Sequence, residues 1–248
     1  MEVDHDRFFE GINQLVDKFN QSLNYIEQIL NSFKEIFELE ISEQALDISK
    51  KLNEVIELYY YDTVDSDESL TAAFDLDFSE LEYKNRTFSQ SAKKLNESIK
   101  GLKNIYKQFI LGQSTVIIVS SLEAFLSGIF SYCLMQKFQQ NSRAVDEITG
   151  RYNFQNWGNS VVGFRTFLNI DLGEGGNFSS KITILQQKRH VLIHQSGVID
   201  KRAAKNLNLT NEVVGKSLNI TEQEVRESIK TVREFSTFLQ SATHNAFG

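Results

Sequence analysis

The sequence predicts an all-α protein, and three observations support that prediction. The 248 residues include no proline, where an average usage of roughly 5% would give about twelve. Because proline breaks helix interiors, its absence permits long helices. Apolar residues recur at three- and four-residue steps along much of the chain, which is the spacing of one face of a helix. Thr221 and Glu224 form a capping-box pattern that begins a final helix.

These patterns divide the chain into elements and into two regions. A glycine- and asparagine-rich connector with room for one short helix is expected over 150–180, and a short extended pair over 207–220. Helices are predicted over 5–38, 43–61, 88–111 and 116–135, from about 180 to 194, and from 221 onward. Residues 62–82 read as an acidic linker. We therefore expect an acidic N-terminal helical region, 1–82, and a second helical domain, 83–248.

Charge separates the same two regions. Residues 1–82 carry 21 acidic and 5 basic side chains, whereas residues 83–248 carry 12 acidic and 21 basic ones. The net charge of −7 alone argues against a nucleic-acid-binding protein. The asymmetry leaves two interpretations open. The regions are either solvated surfaces of opposite sign, or the basic part meets a polyanion while the acidic part controls access.

Cysteine content and the first residues indicate the compartment. Cys133 is the only cysteine, so no disulfide can form within one chain, and a reducing, cytoplasmic location is expected. The opening residues, MEVDHDRFF, lack the basic start and apolar run of a signal peptide. The stretch 116–135 is apolar enough to suggest a membrane span. Glu123 and four serines within it favour the central helix of a soluble bundle, with no membrane.

The stretch QQKRHVLIHQSGVID, 186–200, holds two of the four histidines. On a helix, His190 and His194 lie one turn apart on the same face, which is the spacing of a metal-binding pair. The Glu of a His-Glu-x-x-His motif is missing, and no cysteine or further histidine lies nearby to complete a ligand set. We therefore predict no metal site and no cofactor here.

Arg189 and His194 suggest a different chemistry. They are separated by about 140° around a helix and about 7.5 Å along it, so one helix alone does not make them face each other. Both long side chains could reach a common cleft beside a second helix. Arginine can clamp a phosphate, and an imidazole can transfer a proton near neutral pH. The pair suits metal-free RNA cleavage, although a charged helix end with histidines near its C-terminal dipole explains the same spacing.

The stretch is similar to the signature of the HEPN superfamily. In that signature an arginine and a polar residue precede three mainly apolar residues and a histidine, often followed by Asn-Gly and an Ile-Asp pair. Here it reads RHVLIHQSGVID, 189–200. The segment STVIIVSSLEAFLSGIF, 114–130, resembles the central helix of the RiboL-PSP and MAE-type HEPN branches. The resemblance covers roughly 88–243 and does not include the first 82 residues.

The resemblance implies a HEPN-type helical bundle that forms a homodimer, with a cleft where Arg and His of both chains meet. The periodicity of the first 82 residues adds an N-terminal helical extension to that bundle. The resemblance also implies a metal-independent endoribonuclease, a bacterial toxin or an abortive-infection (anti-phage) effector that leaves 2′,3′-cyclic phosphate ends. Arg189 would then stabilise the scissile phosphate, and His194 would act as general acid and base. His190 would orient the site, and Glu123 would brace the arginine or serve only as a core polar residue. RNA and an antitoxin or sensor protein are the expected partners.

Local charge agrees with an RNA ligand, because phosphate contacts dominate nucleic-acid affinity. Lys188, Lys201, Arg202 and Lys205 are the candidate RNA-binding residues, against Asp200 alone. The segment 186–206 has no interleaved aromatic residues, so base stacking there is not indicated. Two alternatives remain open at this point. One is a non-catalytic HEPN module that binds RNA or nucleotides or assembles a defence complex, and the other is a structural or membrane-associated helical protein.

Two departures from the family signature are present. Gln195-Ser196 replaces the frequent Asn-Gly, which alters the turn but not the Arg-His pair. In one family branch, a nucleotidyltransferase antitoxin modifies a tyrosine two residues after the histidine. That position is Ser196 here, and no tyrosine follows Tyr152. Silencing by tyrosine modification is therefore not expected.

Overall fold

The computed structural model describes residues 6–33, 78–138, 141–173 and 178–248, and over these ranges the fold is all-α, as predicted. The first helix, α1, spans 6–33. The later helices are α2 (Phe78–Lys137), α3 (Ser142–Thr149), α4 (Trp157–Gly163), α5 (Phe178–His194), α6 (Lys201–Asn206) and α7 (Glu222–Phe247). A π-helical turn, Phe164–Leu168, continues α4. The predicted helix 43–61 and residues 62–77 of the predicted linker lie outside the described residues.

The helix α2 is longer than the sequence pattern indicated. It runs for 60 residues without interruption, where two helices were expected, and residues 78–82 of the predicted linker form its first turn. The expected break fell at Gly112. A single glycine costs a helix interior only about 1 kcal/mol relative to alanine, which is too little to end it. Gly112 also lets α5 approach closely, because a Cβ there would lie 3.4 Å from the Leu192 side chain.

The region between α2 and α7 differs in detail from the prediction. The connector at 150–180 contains the short helix α4, as expected. The helices α3 and α6 were not predicted, since eight and six residues are too few to show a periodic pattern. The extended pair expected over 207–220 is wrong. Over the described residues that region contributes a 3-10 turn at Asn211–Val213 and one isolated antiparallel bridge, which pairs Ser217 with Val198.

The chain divides into two compact units, which we describe separately. One comprises the residues up to Leu30 together with Gln108–Gly248, and the other comprises Asn31–Lys107. In the second unit the described residues are helical throughout and belong to the end of α1 and the start of α2. The candidate site lies in the first unit, whose packing follows.

The core of the first unit is a bundle of four long helices. Helix α1 packs antiparallel to α2. Phe19 stacks on Phe125 at 4.6 Å, whereas Phe8, earlier in α1, stacks on Tyr132, later in α2, at 5.4 Å. Helix α1 also runs antiparallel to α7, where Phe9 stacks on His244 at 4.0 Å. Seven side chains of α1 are buried in this core: Phe8, Ile12, Val16, Phe19, Leu23, Ile26 and Leu30. The acidic N-terminal helix is therefore part of the hydrophobic core.

Close helix approach fixes the α1–α2 register. A Cβ at Gly11 would lie 2.1 Å from the hydroxyl oxygen of Tyr132, so this position requires glycine unless the tyrosine moves. Helix α5 packs antiparallel to α7 through Phe178 and Phe235, whose ring centroids are 5.7 Å apart. Together these contacts hold α5 between α2 and α7 at one end of the bundle.

One stretch of α2 also has the length and composition of a membrane span. Within Lys100–Lys137, the most apolar window of 18 residues has a mean hydropathy of 1.7, and 44% of that window is buried inside the protein. The buried side chains on this stretch include Ile118, Leu122 and Ile129, which pack in the bundle core. A core helix passes the same test of length and composition, so this finding is weak evidence for a membrane.

Candidate active site

The candidate residues lie where α5 ends and α6 begins. The amides of Gln195 and Gly197 both donate to the carbonyl of Val191, which closes the last turn of α5. Ser196 and Gly197 have φ angles of +50° and +77°, so the chain reverses through the left-handed region. Asp200 then caps α6 by accepting from the amide of Ala203 at 2.6 Å. This tight connection holds α6 beside the last turns of α5.

A cavity of about 250 Å³ opens at this corner. Arg189, His190 and His194 of α5 line it, and Arg202 of α6 lies across from them. The remaining lining residues come from the turn before α4, from α5 and from α6: Asn153, Gln155, Asn156, Gln186, Gln187, Gln195, Ala203 and Asn206. Although Arg189 and His194 are separated around α5, a single chain brings both side chains to one cavity.

Arg189 is held beside the core by an acidic neighbour. Its Nη1 lies 3.6 Å from Oε1 of Glu123 on α2, and both side chains are less than one-fifth exposed. The distance is that of an ion pair without a hydrogen bond, and neither Glu123 Oε1 nor Arg189 Nε has a hydrogen-bond partner among the residues that the structure describes. A buried guanidinium nitrogen without a partner is costly unless a ligand satisfies it. The arrangement leaves Arg189 with donors available to an oxyanion.

Burial controls the protonation of Glu123. Desolvation raises the pKa of its carboxyl group, and the positive charge of Arg189 only partly opposes that effect. The pair therefore does not reach the strength of a hydrogen-bonded salt bridge. Glu123 restricts where Arg189 can lie, while the arginine keeps part of its hydrogen-bonding capacity.

The two histidines form an exposed pair at the mouth of the cavity. The ring centroids of His190 and His194 lie 4.9 Å apart with an angle of 42° between the rings, and both residues are exposed. Imidazoles in contact with water can exchange protons with a bound substrate. Among the described residues, no group of three or more His, Cys, Asp or Glu side chains is arranged to hold a metal ion.

The four candidate RNA-binding residues differ in their position relative to the cavity. Arg202 lines the cavity. Lys201 and Lys205 are exposed on α6 beside it but do not line it. Lys188 is mostly buried, and its Nζ donates to Glu224 Oε1 at 2.6 Å. The charge of Lys188 therefore joins α5 to the start of α7.

The sequence prediction did not include the amide residues that surround the cavity. Gln186 is 8% exposed. Its Oε1 accepts from the amide of Trp157 at 2.8 Å, and its Nε2 donates to the carbonyl of Phe154 at 3.2 Å. This bridge attaches the turn at 153–157 to α5, three residues before Arg189. Spacing offered no signal for it, because the partners are about thirty residues apart.

The chain was compared with protein-family models, curated proteins and solved structures. No family model, curated protein or solved structure matches the chain.

Proposed function

We propose that the chain is a metal-independent endoribonuclease of the HEPN superfamily. The observation that carries the proposal is that Arg189 and His194 line one cavity. The resemblance of 189–200 and 114–130 to HEPN signatures supports it, as does the basic side chain of Arg202 across the cavity. In this proposal the protein is a cytoplasmic bacterial toxin or anti-phage effector that acts on RNA.

The proposed reaction is an internal transesterification of RNA. One His194 imidazole removes the proton of a ribose 2′-hydroxyl, whose oxygen attacks the adjacent phosphorus. The bond from phosphorus to the 5′-oxygen of the next nucleotide breaks, and a histidinium gives that oxygen its proton. Arg189 stabilises the negative charge that develops on the phosphoryl oxygens. The products are a 2′,3′-cyclic phosphate and a 5′-hydroxyl.

Two other residues support this chemistry. Glu123 is a positioning residue, since it touches Arg189 at 3.6 Å from the core side. His190 lies beside His194 and would orient it or contact the substrate. Lys201 and Lys205, exposed next to the cavity, would contact the RNA backbone outside the reacting phosphate.

A homodimer would place Arg189 of one chain beside His194 of the other, and that one imidazole would act first as the base and then, once protonated, as the acid. Exposed apolar side chains beside the motif favour self-association. Ile193 is 44% exposed and Val198 is 42% exposed, and α2 presents Phe109 and Ile117 near its Gly112 contact with α5. We propose that this face meets its symmetry mate. An antitoxin or sensor protein would act on the assembled dimer.

The proposed regulatory role of residues 1–82 needs a test that respects the fold. Helix α1 is part of the core, so truncation of the whole region would remove seven buried side chains. Replacement of Asp62, Asp65 and Asp67 by asparagine reduces the acidic charge without removing α1. An increase in RNA cleavage would support control by this segment, and unchanged cleavage would remove that role.

Mixing of inactive variants tests the composite site. We expect Arg189→Ala and His194→Ala each to abolish cleavage of cellular RNA, and a co-folded mixture of the two to recover a measurable fraction of it. Recovery requires that Arg189 of one chain works with His194 of the other. Arg143→Ala is the matched control, because Arg143 is exposed on α3 and does not line the cavity. A mixture as inactive as its components would place the site within one chain.

A further inference from the structure

We propose that the cavity beside Arg189 and His194 binds a single RNA base, preferentially adenine, and so makes cleavage base-selective. The inference deepens the proposed function and rests on it for the nature of the polymer. It is carried by the chemistry of the cavity wall and by the way the fold holds that wall in place.

The cavity wall is built mainly from amides. Seven of its twelve lining residues are asparagine or glutamine, whereas two are arginine. A phosphate only accepts hydrogen bonds, so it would use the NH₂ group of each amide and leave the carbonyl oxygen unused. Amides carry a donor and an acceptor side by side, which is what base edges require. At about 250 Å³, the cavity suits one nucleoside-sized group better than a large ligand.

Several of these amides retain free hydrogen-bonding groups. The side chain of Gln155 makes no hydrogen bond within the described residues, so both its carbonyl and its NH₂ are available. In the part of the chain that the structure describes, Asn153 uses only its oxygen, which accepts from the amide of Gln155 at 2.8 Å. Over the same residues Asn206 uses only its nitrogen, which donates to Gln187 at 3.1 Å. A free glutamine amide can bind adenine by accepting from N6 and donating to N7.

The amide wall is positioned in advance of binding. Gln186 is buried and holds the backbone of Phe154 and Trp157, on either side of Gln155 and Asn156. Phe154 is 7% exposed and anchors the same turn in the core. The turn therefore presents Gln155 to the cavity from a fixed backbone, which lowers the entropy lost when a ligand binds.

Neighbouring groups match the rest of a nucleotide. Arg189 lies in the same cavity and can take a phosphate. The exposed imidazole of His190 offers a flat surface on which an unpaired base can stack. Asp200 and Gln195 close the end of α5, where Gln195 Nε2 donates to Asp200 Oδ2 at 2.8 Å. Gln155 and the candidate catalytic pair therefore line the same cavity.

Equilibrium binding to the full-length His194→Ala protein tests the pocket. The probes are four fluorescein-labelled nine-residue RNAs of uridine that differ only in the central base. We expect the adenine probe to bind roughly five- to hundredfold more tightly than the uridine probe, the range that one bidentate base contact gives. Gln155→Ala, made in the same background, should remove that preference. Gln223→Ala is the matched control, since Gln223 lies on α7 and does not line the cavity.

The outcomes separate the pocket from the catalytic proposal. Cleavage or binding of all four RNAs without preference would overturn the base pocket and leave the ribonuclease intact. Selective binding by His194→Ala, with no cleavage by the wild type, would support the pocket and count against the ribonuclease. A guanine preference that survives Gln155→Ala would overturn the assignment of Gln155. Failure of all four probes to bind would count against both.

Discussion

Gln186 should be essential to the stability of the turn beside the cavity. Gln186→Leu keeps the side-chain volume close to that of glutamine but removes both hydrogen bonds to the turn. The amide of Trp157 and the carbonyl of Phe154 then lose their partners in a buried setting. Each of the two unsatisfied groups costs about 1–3 kcal/mol, so we expect a loss of about 2–6 kcal/mol in the free energy of unfolding.

Urea denaturation followed by circular dichroism measures this loss of free energy. In thermal denaturation of a chain of this size, the same loss corresponds to a fall in Tm of about 4–24 °C. Gln223→Leu is the control, since that glutamine is exposed and donates only to Glu227. We expect it to change stability by less than about 0.5 kcal/mol. A Gln186→Leu protein as stable as the wild type would show that the bridge does not hold the turn, and the preorganised base pocket would lose its main support.

Three further predictions concern the rest of the bundle. Burial raises the pKa of the Cys133 thiol to about 12. A thiol-reactive dye should therefore label the protein only after denaturation. Labelling of the native protein would contradict the burial of Cys133 in α2. Ser196 has a left-handed φ of +50°, a conformation that glycine adopts without strain. Ser196→Gly should therefore raise the free energy of unfolding by about 0.5–1 kcal/mol in urea titrations. A loss of stability would mean that the serine is not strained. Although burial raises the pKa of Glu224, the hydrogen bonds from Lys188 and Thr221 outweigh it and leave the pKa below its ordinary 4.5. The folded state therefore gains stability from ionised Glu224 above pH 4.5 and loses it as the pH falls. Glu224→Gln should cost about 1 kcal/mol at pH 7 and much less near pH 3, and an equal cost at both would refute the ionic contribution.

Much of the fold could be predicted because long amphipathic helices show apolar residues at three- and four-residue steps in the sequence. The start of α7 was marked in the sequence by the capping box of Thr221 and Glu224. The end of α5 at His194 agrees with the predicted end of that helix. The short helix α6 left no periodic signal, although its cap Asp200 is visible in retrospect. The close approach of Leu192 to Gly112 in α2 joins residues 80 positions apart, which no local pattern contains.

The candidate site also contains residues that the sequence could predict and residues that only the tertiary fold brings together. Arg189, His190 and His194 were found because they share one short stretch. Arg189 meets Glu123 from a different helix, and only the resemblance suggested that contact. The amides of Asn153, Gln155 and Asn206 could not be predicted, because distant segments meet only through the tertiary fold. Lys188 looked like part of a basic surface, and its ion pair with Glu224 could be seen only in the structure.

Cleavage of RNA in the presence of a chelator tests the central claim most directly. Purified wild-type protein, His194→Ala and the Arg143→Ala control would each be incubated with mixed cellular RNA and EDTA, and the new ends analysed. We predict cleavage by the wild type and by Arg143→Ala, with 2′,3′-cyclic phosphate and 5′-hydroxyl ends, and none by His194→Ala. Equal cleavage by His194→Ala, or products with 3′-hydroxyl ends, would contradict the assignment of His194 and the chemistry proposed for this cavity.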